Sequence, residues 1–569
     1  MADDGNSESK RWRWLVVGLV VCVVLVFVPV CRHEYVGADD WKNLEANRRV
    51  LNPTWSGLGY YWTHGEADLY VPVTYTVWMV VSGFSWMGGT NEAYVFHGLN
   101  LALHVGSAVV AFLILRRVTK SDGGAFFGAM LFAVHPLQVE AVAWTSGMKD
   151  VLSGLLSLAA VWKYLEYAEE GDARRRKVAY GVGAGMYVLA MLAKPAAVIV
   201  PLVAGVLDLG VAKRGWRKVL MGVLGWLILA VPIVMVARAV QQAPSVYKPA
   251  LWMRPVVALD ALAFYARQLV APVWLSMDYG RSPKWLMEGG GWGAKYWTWL
   301  VPVAIGAAAV AWRKRVVWPL VGAGVFGAAV LPMLGLVAFD FQYFSTVADH
   351  YVYVAMLGPA LVLGWAVARW RGRVVKVCVA LGLVALGVRS HVRAYDWRDA
   401  ERLYAATLKV NPRSVMVNMN LASKYTIRAN FANTQAAAQA LYDKALGHYY
   451  QVLGVGATDY DIHMHMAWIY EREEHFEEAA KHYRAAFDGH PEAQAIQHYY
   501  VGTMLMKAGR LEEAEGEFRQ ALEIAKEDDP ACQVAKECLA EVDRLRREAE
   551  GKATAPAALG TSSQPASGQ

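Results

Sequence analysis

The sequence predicts an all-α protein in two parts, a polytopic membrane domain followed by a C-terminal solenoid of helical repeats. Three observations carry that prediction. Of the 569 residues, 56% are hydrophobic and 23 are Trp, more apolar surface than a soluble chain of this length needs for its core. Lys and Arg gather in short clusters between apolar runs, at "RRVTK", "RRRK", "KRGWRK", "RKR" and "RWRGR". Past residue 391 the composition turns mixed and charged, and a motif repeats.

Apolar runs long enough, or nearly so, to cross a bilayer begin near Trp14, Tyr94, Gly123, Val142, Val178, Ala196, Val219, Trp297, Val316, Tyr351 and Val374, about eleven spans. Residues 1–13 are then a cytoplasmic tail, and residues 14–390 the membrane domain. Every basic cluster falls on the cytoplasmic side, as the positive-inside bias requires, provided that residues 254–278 do not cross. That stretch carries Asp260 and Arg267 among apolar residues and reads as an interfacial or re-entrant helix. An odd count of spans places everything after Arg389 outside the cytoplasm. The first run ends in "VFVPVCRHEY" without a small-x-small cleavage pattern, so it reads as a retained anchor. The net charge of +7 follows from the loop clusters, and no nucleic-acid partner is expected. The five cysteines, Cys22, Cys31, Cys378, Cys532 and Cys538, show neither a CxxC nor a metal spacing. Cys532 and Cys538 fall on different faces of a helix, which argues against a disulfide between them.

The repeat domain is expected over residues 391–550. "AWIYEREEHFEEAAKHYRAAF" from Ala467 aligns with "GTMLMKAGRLEEAEGEFRQAL" from Gly502. The alignment matches Ala467 with Gly502, Phe476 with Leu511, Ala479 with Ala514, Tyr483 with Phe518 and Ala486 with Ala521. Small residues at helix crossings with aromatics between them are the tetratricopeptide pattern. Weaker copies end at "LYAATLKVNP" and "LYDKALGHYY", enough units to bury a continuous core. Residues 551–569, rich in Ala, Pro, Ser and Gly, are expected to be disordered.

Ionisable residues collect at the external ends of the spans, where they are costly and usually functional. The external loop, residues 32–93, opens with "HEYVGADDWKN", placing Asp39 and Asp40 just beyond the first span. The pair has a bland reading too, as the cap of a helix beginning at Trp41. "AVHPLQVEAVAWTSGMKD" supplies His135, Glu140, Lys149 and Asp150; "LAKPA" supplies Lys194. "VADHYVYV" supplies Asp349, His350 and Tyr351, and "SMDYGRSP" supplies Asp278 and Arg281. Singly, His135 before Pro136 would end a helix, Lys194 would snorkel and Asp349 would be an N-cap. Together they suit a carboxylate base for a hydroxyl nucleophile, with cations holding a phosphate leaving group whose lipid tail stays in the bilayer. The implied reaction is glycosyl transfer from a lipid-phosphate sugar, with inversion by a single base.

The ordered motifs "ADD", "LYVPVTYTVW", "FHGLNLALHVGSAVVAFLILRR", "FAVHPLQVEAVAWTSGMKDVLSGLL", "VADHYVYVAMLG" and "RAYDWRDAERLYAATLKVNP" resemble the transmembrane and tetratricopeptide-repeat-containing O-mannosyltransferases. That family lies within the C-type glycosyltransferase fold, and the resemblance runs from about Trp14 to about Glu527. It implies transfer of a sugar, mannose in the family, from a polyprenyl-phosphate donor to a protein Ser or Thr hydroxyl on the extracytoplasmic side. By that resemblance Asp39 and Asp40 are the catalytic acidic pair, with Asp39 favoured as base. Lys149, Lys194, Arg281 and His350 are candidates for donor binding; His135, Glu140, Asp150, Asp349 and Tyr351 support them. Two positions depart from the family, Val71 in "YVPV" and His350 in "ADHY" standing where the family commonly has Arg, and each replacement removes a fixed positive charge. No cofactor is demanded by His or Cys spacing. The alternating His463 and His465 of "HMHM" face different ways on a helix, while the fold includes members that use a divalent metal. Membrane lipid and a protein acceptor held by the repeats are the expected partners, in a bacterial cytoplasmic membrane with the repeats outside. Two other classes compete: a scaffold whose repeats assemble an envelope complex, and a transporter, which predicts mid-span charges and an internal hydropathy repeat.

Overall fold

The computed structural model describes residues 4–37, 39–66, 69–88, 92–240, 247–288, 298–370, 372–454, 460–488, 494–525 and 530–553. Among these the regular structure is helical, and the one β feature is an isolated bridge between Glu66 and Leu69. The chain divides into two compact units, Met1–Ser414 and Val415–Gln569. The expected tail from residue 554 lies outside the described residues.

In the first unit five helices are long and apolar enough to cross a membrane: Arg11–Arg32, Ala93–Thr119, Pro195–Ala212, Trp216–Val240 and Arg373–Asp396. A sixth crossing is available if Asp122–Val134 and Pro136–Ala143, bent by 52° at His135, count as one. The bend follows from Pro136, which offers no N–H and pushes His135 into an extended conformation. The remaining runs among the eleven expected take other forms. Leu300–Trp312, Trp318–Met333 and Leu357–Arg369 are apolar but short. Those expected from Val142 and Val178 become Met148–Glu169 and Ala173–Ala193, whose first turns are charged. A count of apolar runs treats each as a straight crossing, and here several are broken or begin on ionisable residues.

One further expectation changes. The helix Asp4–Phe27 takes in most of the tail expected over residues 1–13. Residues 254–278 contain the helix Arg254–Val270, which is not among the long apolar ones, and its Asp260 is buried.

Close packing brings distant motifs together. Asp122–Val134 lies against Leu357–Arg369 so tightly that a Cβ on Gly128 would come within 2.5 Å of the Ala360 carbonyl oxygen. The segment just before Leu357, which holds Asp349, His350 and Tyr353, is thereby pressed onto the 135–150 stretch.

The second unit is a run of antiparallel helices from Val415–Asn430 to Pro530–Ala553. The small and aromatic positions aligned in the sequence form its core: Ala467, Ala479, Tyr483, Ala486, Ala514, Phe518 and Ala521 are all buried. The copy ending at residue 450 lies in the helix Gln435–Leu453. The earlier one, in Ala400–Val410, belongs to the first unit.

Candidate active site

The acidic pair stands at the head of the π-helical turn Trp41–Glu45, beyond the 3-10 turn Val28–Arg32 that follows the first helix. The two carboxylates have different environments. Asp40 is fully buried and accepts the backbone N–H of Val36 (3.2 Å, on Oδ2) and of Ser146 (2.8 Å, on Oδ1). It sits at the start of the π-helical turn Trp41–Glu45 without making a side-chain cap bond, so the helix-cap reading fails: the carboxylate bonds backward and across the fold instead. Its Ser146 partner is delivered by the turn Thr145–Gly147, which closes because Gly147 carries no Cβ; one there would meet the Ala141 carbonyl oxygen at 2.5 Å. Burial pushes the Asp40 carboxyl up to about 6, against the two backbone hydrogen bonds that pull it down.

Asp39, beside it, has its side chain half exposed and accepts from Lys149 Nζ at 3.1 Å. The Lys149 ammonium holds its carboxyl below the usual carboxylate range. Asp40 therefore fixes the loop, and Asp39 is the member of the pair that meets solvent.

Lys149 lies 5.7 Å from the centroid of the Trp144 ring, and Trp144 is in turn 5.7 Å from the His350 ring. His350 Nδ1 donates to Glu140 Oε1 at 2.8 Å, because a carboxylate only accepts. The other oxygen of Glu140 accepts the Asp349 backbone N–H at 3.0 Å. Asp349 is not an N-cap either; its Oδ1 accepts the Tyr279 hydroxyl at 2.7 Å. Burial, with Glu140 close by, pushes the Asp349 carboxyl well above the usual range. On the next residue of the Met148–Glu169 helix, Asp150 accepts from Lys194 Nζ at 2.5 Å, and Lys194 stands 5.8 Å from the Tyr351 ring centroid. Tyr351 packs edge-on against His350 at 4.4 Å. Lys194 is therefore an ion-pair partner and does not snorkel.

The structure thus links Asp39, Asp40, Glu140, Lys149, Asp150, Lys194, Asp349, His350 and Tyr351 in one cluster. Two candidates fall outside it. His135 is buried with both ring nitrogens engaged by backbone: Nδ1 accepts from Leu137 N–H and Nε2 donates to the Leu269 carbonyl. It ends a helix, as its bland reading supposed. Arg281 donates from Nη2 to both oxygens of Asp260, at 2.6 Å each, so a carboxylate outside the cluster holds it. Asp278 is likewise occupied, accepting from Ser414 Oγ at 2.5 Å and from Gly280 N–H at 2.8 Å. His463 and His465 engage separate partners, the His482 ring and the Asp461 carbonyl.

Sequence reasoning missed Trp144, the ring between Lys149 and His350, although it stands in the quoted "AVAWTSG". It also passed over Tyr279, whose only signal was its place beside Asp278.

A family model described as tetratricopeptide repeat matches residues 465–530. The chain is similar to protein O-mannosyl-transferase TMTC1 of Mus musculus, 37% identical over 20% of this chain and 12% of that one. It is similar to protein O-mannosyl-transferase Tmtc1 of Drosophila melanogaster, 23% identical over 67% of this chain and 54% of the relative. The chain thus spans about half the length of the fly protein. Among solved structures, the apo crystal structure of ArnT from Cupriavidus metallidurans aligns with a TM-score of 0.38 at 17% identity, over 78% of this chain and 76% of that one. The chain therefore resembles the O-mannosyl-transferases over most of its length.

Proposed function

We propose that this protein is an integral-membrane glycosyltransferase that moves a sugar from a polyprenyl-phosphate donor to a hydroxyl acceptor, a Ser or Thr of a protein. The names of its relatives support the reaction class, and mannose is the sugar they point to. The observation that carries the reading is the Asp39–Lys149 pair, a half-exposed carboxylate bonded to a buried ammonium within the cluster that includes His350 and Lys194.

In this reading the acceptor hydroxyl gives its proton to Asp39 as its oxygen bonds to the anomeric carbon. The bond from that carbon to the phosphate oxygen breaks, and the lipid phosphate leaves with the electron pair. One displacement inverts the anomeric centre. Lys149 has three N–H groups, of which Asp39 takes one, so the same ammonium can hold the base and the leaving phosphate. Its field keeps Asp39 ionised at neutral pH. Asp40 acts through the loop and touches no substrate. The repeats present the protein acceptor, and they and the site lie on the extracytoplasmic side of a bacterial cytoplasmic membrane.

The test is sugar transfer from a panel of radiolabelled polyprenyl-phosphate sugars by the purified chain in lipid, with Asp39→Asn alongside. Loss of a base predicts a fall of about 10²–10⁴-fold in turnover with donor binding retained. Full activity in the variant would overturn the assignment, and inertness of every donor, with divalent metal and candidate acceptors added, would favour the scaffold.

A further inference from the structure

A second site, lined by residues outside the acidic cluster, lies at the finish of two apolar helices. A cavity of about 460 Å³ is lined by Val28, Pro29, Arg32, His33, Tyr395 and Arg398. Its charge is cationic. Arg32 and Arg398 make no ion pair among the described residues, and the acids near them in sequence are engaged elsewhere, Asp396 with Arg393 and Asp399 with Arg402. Glu34 is a further carboxyl near it in sequence, on a segment fixed there by its N–H bond to the Arg398 carbonyl at 2.9 Å. His33 is buried, and its ring nitrogens have no hydrogen-bond partner among the described residues.

Below the cavity lies the apolar part. On the first helix Val17, Val21 and Leu25 are exposed at helical spacing, and the stripe ends on Val28 in the cavity wall. On Arg373–Asp396 the exposed stripe Val384, Val388 and Val392 ends on Tyr395 in the same wall. The two helices are joined near these ends by the His391 ring, whose Nδ1 meets the Val26 carbonyl at 2.9 Å. Any lipid-facing helix exposes such a stripe. Two stripes that converge on one cavity with two unpaired guanidinium groups describe a ligand with an apolar chain and an anionic head.

We infer that this cavity binds the phosphate of a membrane lipid whose chain lies along the two apolar stripes. A phosphate oxygen would take the guanidinium N–H groups of Arg32 and Arg398, whose planar forks suit it, and the N–H of His33. The inference does not depend on the transfer reaction, since neither arginine belongs to the acidic cluster.

The experiment is thermal unfolding of the purified full chain in neutral detergent, titrated separately with phosphatidylglycerol, a polyprenyl phosphate, phosphatidylcholine and inorganic phosphate. A rise in Tm with the anionic lipids, absent with phosphatidylcholine and with inorganic phosphate, is the expected result. A response to phosphatidylglycerol as well as polyprenyl phosphate supports a general phosphate-lipid site here, whereas a response to polyprenyl phosphate alone that survives loss of Arg32 and Arg398 belongs to the transfer site and overturns the inference. The double variant Arg32→Gln/Arg398→Gln should weaken the response by about thirtyfold, two cations' worth of attraction to an anionic head group. An undiminished response in that variant, or equal stabilisation by phosphatidylcholine, would overturn the inference. Should the variant not fold, a photoactivatable phosphatidylglycerol on the wild-type chain decides: adducts on residues 17–32 and 384–398 support the site, and adducts confined elsewhere remove it.

Discussion

The membrane unit and the repeat unit both hold many charged side chains, but they pair them over different distances along the chain. In the membrane unit Lys149 reaches back 110 residues to Asp39, and His350 reaches back 210 to Glu140. In the repeat unit, beside local pairs such as Arg510 with Glu513, several partners recur at nearly one interval. Gln439 and Glu473 are 34 apart, Arg484 and Glu517 33, Lys507 and Glu471 36, and Arg510 and Glu477 33. That interval is the length of one repeat, so each pair joins a unit to the next. The membrane unit draws on long-range buried contacts, whereas the repeats are held by neighbours, as in a one-dimensional stack.

Substitutions can break or sharpen that contrast. The largest effect is expected from Glu140→Ala, which strands the His350 ring and the Asp349 N–H in a buried site; loss of about 3–5 kcal/mol should lower the melting temperature of the membrane unit while the repeats melt unchanged. A variant as stable as the wild type would refute the central role of that carboxylate. Next comes Asp40→Asn, read as a pH slope. The Asp40 carboxyl is raised by burial from its ordinary 3.8 to about 6, so the folded state binds its proton more tightly. Stability should therefore fall as pH rises from about 4 to 6, by about 3 kcal/mol. Asn removes that part of the slope, and parallel pH curves for the two proteins would contradict it. Lys194→Ala, which leaves the nearly buried Asp150 without its cation, should cost about 2 kcal/mol and raise the donor KM; calorimetry with donor titration checks both. Smallest is Glu471→Gln on the repeats. Its partner Lys507 is exposed, so the change should stay within about 0.5 kcal/mol in denaturant unfolding.

The same contrast explains what the sequence could reveal. The repeats were readable because their spacing is local and recurs: Ala479 and Ala514, or Tyr483 and Phe518, announce equivalent positions that the fold buries alike. Motif order was readable for the acidic cluster as well, since Asp39, Glu140, Lys149 and His350 each stand in a quoted motif. Their bonding was not. Nothing near Asp40 indicates that its carboxylate takes the N–H of Ser146, and nothing near Lys194 names Asp150 as its partner. Proximity in sequence also misled: His135 stands five residues before Glu140, yet its ring bonds to the Leu269 carbonyl, 134 residues away. Arg281 offered a free cation on paper because its partner Asp260 had registered only as a charge counting against a span.

The Glu140–His350 bond also sets a clock on the making of the protein. Synthesis at roughly 5–20 residues per second separates the two residues by roughly 10–40 s. Through that interval the nascent chain carries Glu140 without the imidazole that later fixes it. A ribosome stalled before residue 350 would hold a membrane domain that has its acidic loop but lacks the helices Leu357–Arg369 and Arg373–Asp396. The charged core can thus close only as the last apolar helices of this unit are being made, which ties its completion to a single motif, "VADHYVYV".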